Sequence, residues 1–317
     1  MRKRLLYLAL LVLGVAILYL SVGVDFTQER IWKYALQIRT PKVLAILLSA
    51  YAVANATMIF QTIVQNRIIT PNLLGMNSLY TLIHTLVAFL FGASSALANN
   101  IELMFFIDLV AMGLVATLIY SYFFKKTSYN ILYILLIGTV LSSFFGSFQS
   151  YMIRVMDPDE YESLLNSLVA GFSHMRYELL LVAFILLIAL RLIFRKDFEV
   201  LDVMAMGRSK AINLGVDYDK SLRRLLMIVS LYIAISTALV GPISFIGLLV
   251  VNIARYLFKT YKHSYLIPAS VLIGIIMLLG GELLVERVFS YSVPVSVFVN
   301  LFGGLYFLYL LLRRKAQ

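Results

Sequence analysis

The sequence predicts an all-α membrane protein of about ten transmembrane helices, and three observations predict it. Of 317 residues, 62% are hydrophobic and 14% charged, a balance suited to lipid rather than water as the main solvent. Apolar runs near the roughly 20 residues that cross hydrocarbon recur along the whole chain, with no long polar block between them. The basic residues sit in short segments between those runs, so the net charge of +11 reads as orientation in a membrane and not as a nucleic-acid surface. Residues 1–317 therefore read as a single transmembrane domain.

The first run, 5–22, stands behind Arg2, Lys3 and Arg4. It is long for a signal peptide and no small-residue cleavage site follows it, so it reads as a retained first helix. Further spans are expected at 42–64, 72–91, 101–123, 131–153, 178–195, 222–240, 243–258, 265–287 and 295–312. With Arg2–Arg4 inside, both termini face the cytoplasm. Of the 27 Lys and Arg, 20 then fall inside with 5 acidic residues, while 7 basic and 11 acidic residues fall outside or near the outer face. That asymmetry is the one membrane insertion produces. Pro71 and Gly75, Gly241 and Pro242, Gly247, Gly280 and Gly281, and Gly303 and Gly304 interrupt or thin the helices. Interrupted helices are tolerated in lipid only against protein or a water-filled cavity, so several spans must face protein.

Two segments between spans exceed a turn. The outer one, Arg154 to Tyr177, opens with Asp157, Asp159, Glu160 and Glu162. The inner one, Arg195 to Arg224, carries both signs of charge. Its apolar residues Val200, Val203, Met204, Ile212 and Leu214 fall at helical spacing, and Gly207 and Gly215 punctuate them. Two short helices joined at Gly207, within 196–221, are expected on the cytoplasmic surface. They serve either as an amphipathic connector on lipid headgroups or as a docking element for a cytoplasmic partner.

Ionisable residues within spans are costly and point to function. Asp108 and Glu282 are candidates to line a path, whereas Glu286 has Arg287 beside it as a structural partner. Gln61, Gln149 and Asn300 are expected to hydrogen-bond between helices, and Arg255 to sit as a cation at a helix C-terminus. Cysteine is absent, which excludes disulfides and thiolate sites. His84, His174 and His263 are far apart in sequence, and no metallohydrolase or Gly-x-Ser-x-Gly pattern occurs. No Gly-x-x-x-x-Gly-Lys-Ser/Thr phosphate loop occurs either, so any ATP hydrolysis belongs to a partner.

Three stretches resemble the permease family of iron-siderophore and cobalamin ABC importers. The first is Ile38-Arg39-Thr40-Pro41-Lys42 with Gln61, Asn66, Thr70-Pro71 and Leu74-Gly75. The second is Met206-Gly207, Ala211 and Leu214-Gly215-Val216. The third and most specific runs from Gly241-Pro242-Ile243-Ser244-Phe245-Ile246-Gly247-Leu248 through Asn252-Ile253-Ala254-Arg255. Pro294 and the run from Gly303 to Lys315 agree. Departures are Arg67 in place of proline, Arg208 in place of an acidic residue, and Val251-Asn252 in place of Pro-His. These variants look like the branch that handles catecholate or mixed siderophores.

The resemblance implies a type II ABC importer permease fold and a non-catalytic subunit that binds no cofactor itself. ATP and Mg would be used by a pair of ATPase subunits below. The expected partners are a second copy or a sister permease, an extracytoplasmic binding protein, an iron-chelate substrate and membrane lipid, in a bacterial cell membrane. Met206, Gly207, Arg208, Lys210, Ala211, Leu214 and Gly215 would engage the ATPase. Arg39, Lys42 and Arg287 would receive carboxylates of the binding protein, although a snorkelling-anchor role fits Arg39 and Lys42 as well. Gln61, Asn66, Pro71, Gly75, Gly241, Pro242, Phe245, Gly247, Asn252 and Arg255 would shape the structural motif and path. A cobalamin or haem ABC importer and an ion-gradient-driven secondary transporter are the alternatives. The secondary transporter has no need of an inner docking loop.

Overall fold

A computed structural model describes residues 1–126, 131–172, 175–290 and 293–314, so His174 and Lys315 lie outside the described residues. Every regular element among the described residues is helical. The ten expected spans appear as α1 (Arg2–Ser21), α2 (Glu29–Val64), α3 (Met76–Phe91), α4 (Ile101–Lys126), α5 (Ile131–Val155), α7 (Tyr177–Ile193), α11 (Tyr218–Val240), α12 (Ile246–Phe258), α13 (His263–Arg287) and α14 (Val295–Arg314). Short helices α6 (Pro158–Leu168), α8 (Arg195–Glu199), α9 (Leu201–Met204) and α10 (Arg208–Asn213) lie between them. Six helices (α1, α2, α4, α5, α11 and α13) are long and apolar enough to cross a membrane; α3, α12 and α14 carry shorter apolar stretches.

Helix α2 begins thirteen residues before the expected span. Its 36 residues reach about 54 Å at 1.5 Å per residue, well beyond the hydrocarbon core. The opening turns, tied by a Glu29–Lys33 pair at 2.5 Å, mix charged with apolar residues and carry no continuous apolar run from which a span could be read. Pro41 removes one backbone donor inside this helix without ending it. The acidic stretch from Asp157 to Glu162 also gains a role. Asp157 caps α6 by accepting the Asp159 N–H at 3.0 Å, Pro158 takes the first helical position, and Asp159 and Glu160 complement the positive end of the helix dipole.

The centre of the bundle is α2, which packs against α11, α13, α12 and α7, while α11 also packs against α4 and α3 against α5. Close approach depends on two glycines. A Cβ on Gly247 would overlap the Thr57 side chain, so α12 reaches α2 only without one; a Cβ on Gly138 would overlap the Leu73 carbonyl. The second contact seats α5 on the 3-10 turn Pro71–Leu74. Long stretches of α1, α4, α5 and α14 present exposed large apolar residues, as lipid or a partner subunit requires.

Candidate functional site

The motif residues form two groups linked through the Pro71–Leu74 turn: Gly241 to Phe245 follow the end of α11 remote from α8–α10, whereas Gln61, Asn66, Asn252 and Arg255 gather nearer α8–α10. Gly241, at φ +81°, ends α11 with its N–H on the Thr237 carbonyl at 2.8 Å, and a side chain there would press on the Ala170 backbone. Pro242 continues a non-helical link to Phe245, which packs on Gly303 of α14 before α12 begins. The Ser244 carbonyl in this link accepts Asn72 Nδ2 at 2.8 Å, which joins it to the Pro71–Leu74 turn. Gly75, at φ +79°, then opens α3.

Beside it, the Arg67 carbonyl accepts both Gln61 Nε2 at 2.8 Å and Asn252 Nδ2 at 3.1 Å, and Gln61 Oε1 accepts Arg255 Nη1 at 3.0 Å. Asn66 holds the turn by accepting the Ile68 N–H at 3.1 Å. The network uses the backbone of Arg67 and not its side chain, so arginine in place of proline costs it nothing. Asn252 supplies an amide N–H where the family pattern has histidine. Arg255 sits in the last turn of α12, the expected helix-end position, and is in addition tied to Gln61 of α2 across the bundle.

The segment from Arg195 to Arg224 forms a lever with a buried root and an apolar tip. Helices α9 and α10 meet at Gly207, whose φ of +95° favours glycine, and Gln65, the residue that caps the end of α2, lies against it. A third short helix, α8, precedes them. Leu201, Met204 and Ala211 are buried, while Met206, Ile212 and Leu214 are 50–61% exposed, alongside exposed Arg208, Lys210 and Gly215. Arg208 pairs with Asp219 at 3.0 Å, and Arg224 with Asp197 at 3.8 Å. Burial pushes the Asp197 carboxyl above its ordinary range, against the pull of Arg224. The tightest tie of the root is one that sequence reasoning missed. Buried His263, at the start of α13, holds Asp202 through Nδ1 at 2.5 Å and through its backbone N–H at 2.8 Å, and its Nε2 meets Thr62 Oγ1 of α2 at 2.7 Å. One ring thus binds the lever to two central helices.

At the opposite end Arg39 and Lys42, expected as docking or snorkelling cations, are both buried within the chain, at 8% and 5% exposure. Arg39 closes the C-terminal end of α1 by donating to the carbonyls of Tyr19 at 3.0 Å, Leu20 at 3.3 Å and Val22 at 2.8 Å, and it also pairs with Glu286. Lys42 pairs with Glu282 at 3.6 Å. Cations in the interior of a low-dielectric bundle are held by carboxylates and carbonyls, which is why these two turn inward. Glu286 serves Arg39 first, with the expected neighbour Arg287 at 3.4 Å. Of the three basic candidates, Arg287 alone keeps a partly exposed side chain, lodged against the Val22 carbonyl.

Asp108 and Glu282, far apart in sequence, border one cavity, together with His84. An ionisable residue within a span was the signal that could have raised His84 to a candidate. Gln149 meets Thr81 at 3.0 Å as an interhelical bond, whereas Asn300 is exposed on α14 and makes no such bond among the described residues.

A multi-pass helical bundle with its charges sealed at one end and an apolar-tipped lever at the other is the build of a membrane transport subunit. Residues 4–313 match the FecCD transport family. The chain belongs to that family. It is 44% identical over 305 residues to the petrobactin import system permease protein YclO of Bacillus subtilis, covering 96% of each chain. It is 32% identical over 280 residues to the petrobactin import system permease protein FatC of Bacillus anthracis, covering 88% of this chain and 78% of that one. The fold matches a solved inward-facing metal-chelate type ABC transporter with a TM-score of 0.81 at 22% identity, over 98% of both chains.

Proposed function

We propose that the chain is the permease subunit of an ATP-driven importer of ferric-siderophore complexes, with petrobactin-type chelates as the cargo to test first. It forms the translocation path in a permease dimer, in a bacterial cell membrane with both termini cytoplasmic. The observation that carries this reading is the lever: Met206, Ile212 and Leu214 form an exposed apolar tip beside Arg208 and Lys210, on a root fastened to α2 and α13. Such a tip suits the groove of a cytoplasmic partner, and a fastened root turns the partner's motion into helix tilt. Family membership and the relatives' names support the cargo class. ATP and Mg act in the partner ATPase, since the sequence has no phosphate loop. The binding protein sits on the end that holds Arg287.

The test is to purify the tagged chain in mild detergent with its bound subunits and to measure ATPase activity on adding a binding protein loaded with ferric petrobactin. Recovery of an ATPase and a permease partner, with stimulated hydrolysis, is the expected result. A lone chain without ATPase would move the reading to a gradient-driven carrier. With the same assembly reconstituted in proteoliposomes, Arg208→Glu with Lys210→Glu is expected to lower uptake by roughly tenfold or more, because like charges facing a partner cost several kcal/mol. Unchanged uptake would remove these two residues from the coupling face.

A further inference from the structure

On the lever's side of the bundle, α7 and α13 both pack on α2, and a cavity of about 680 Å³, within the range of small-molecule sites, opens between them. Arg191 and Phe198 line it from α7 and α8, Ile267, Pro268 and Val271 from α13, and Tyr51 from α2. One wall carries charge and the other is apolar. The apolar wall is not sealed, since Pro268 is exposed and Ile267 and Val271 are half-buried. On α7, Leu181, Phe184, Ile185, Ile188 and Leu192 form an exposed apolar stripe at helical spacing, and Arg191 stands at its foot in the last turn. An apolar stripe that ends in a cation is a lipid-facing surface reaching the level of the headgroups.

Arg191 is exposed, and its guanidinium carbon lies 3.9 Å from the centroid of the Phe198 ring. It makes no hydrogen bond and no ion pair among the described residues. Contact with a ring face is electrostatic and leaves the guanidinium N–H groups for an acceptor. The carboxylates that also line the cavity are engaged elsewhere, Glu199 with Arg195 at 3.5 Å and Asp202 with His263 at 2.5 Å. The cavity thus offers an uncommitted guanidinium, which suits a phosphate, beside an apolar wall that suits a hydrocarbon chain.

We propose that this cavity binds one anionic phospholipid, with its phosphate on Arg191, Arg195 at the rim, and an acyl chain along Ile267 and Val271. The lipid comes from the leaflet at the lever's end, cytoplasmic in the topology proposed above, where anionic headgroups attract basic side chains. Asp202 and His263 line the same cavity, so the lipid sits beside the contact that fastens the lever. The site does not depend on the identity of the cargo.

The probe is radiolabelled phosphatidylglycerol retained by the purified assembly in mild detergent, compared with phosphatidylethanolamine carrying the same acyl chains. The wild type is expected to prefer phosphatidylglycerol, and Arg191→Gln to bind it about tenfold more weakly, the loss of one charge-assisted contact. Val271→Phe, which fills the apolar wall and keeps both arginines, is expected to weaken binding severalfold and decides the matter if Arg191→Gln does not assemble. Inorganic phosphate is expected to displace the lipid poorly, because it has no chain to bury. Equal retention of the two lipids by the wild type overturns the proposal, as does unchanged retention of phosphatidylglycerol in Arg191→Gln, or in Val271→Phe where that variant decides. Displacement by inorganic phosphate as effective as by phosphatidylglycerol itself would make this a site for free phosphate and overturn the lipid assignment.

Discussion

Replacing Arg39 or Lys42 by glutamate is expected to remove folded protein from the membrane, not merely to spoil contact with a soluble partner. Each cation is buried beside a carboxylate, and Arg39 also closes the carbonyl end of α1. Breaking a buried pair from one side costs about 3–5 kcal/mol, because the remaining charge is left desolvated and alone. A second negative charge next to Glu286 or Glu282 adds repulsion. Against a total stability on the order of 5–15 kcal/mol, that loss is large. Quantifying folded chain in the membrane, and its thermal unfolding in detergent, checks this. The exchange Lys42→Glu with Glu282→Lys should recover much of the loss. Arg39→Glu should recover less with Glu286→Arg, since the swapped side chain no longer serves the α1 carbonyls. A normally assembled Arg39→Glu protein that lost only uptake would return Arg39 to a docking role.

His263→Leu is expected to lower the transport obtained per ATP hydrolysed. The substitution keeps an apolar filling of comparable bulk but removes the bonds from the ring to Asp202 and Thr62, leaving only the backbone N–H of residue 263 on Asp202. Hydrogen bonds to charged groups are worth about 1.5–3 kcal/mol, so coupling through this point should weaken by roughly 10- to 100-fold. Uptake and ATPase activity measured together in proteoliposomes give the ratio. Asp202→Asn, which can still accept from the ring, should fall between the wild type and His263→Leu. An unchanged ratio in His263→Leu would reduce the His263 contacts to packing.

Much of the fold was legible along the chain, because the signals are local. Ten apolar runs became ten helices, and the punctuation at Pro71, Gly75, Gly207 and Gly241 fell at observed ends and turns, where a fixed φ or a positive one is required. The start of α2 was not legible. Its first turns interleave Glu29, Arg30 and Lys33 with apolar residues and Pro41 follows them, so neither a continuous apolar run nor breaker residues announce a helix there. The Gly-Pro-Ile-x-Phe-x-Gly stretch was readable as a signature, but its meaning was not. Only packing reveals that Gly247 admits α12 to Thr57 and that the Ser244 carbonyl fastens Asn72.

By itself the sequence determined that this is a helical membrane protein with its basic residues biased to one side, that its helices break at specific glycines and prolines, and that an amphipathic segment interrupts the spans near Gly207. Lipid burial and helical periodicity act over a few residues, so a linear chain displays them. Only the tertiary structure decided which charges meet. Arg39 finds Glu286, Lys42 finds Glu282, and His84 finds Asp108, across separations of 247, 240 and 24 residues. The same basic side chain near a helix end would snorkel to water if its helix face met lipid, and turns inward when that face meets a carboxylate. Which face it meets is fixed by how the helices pack, and no local stretch of sequence contains that information.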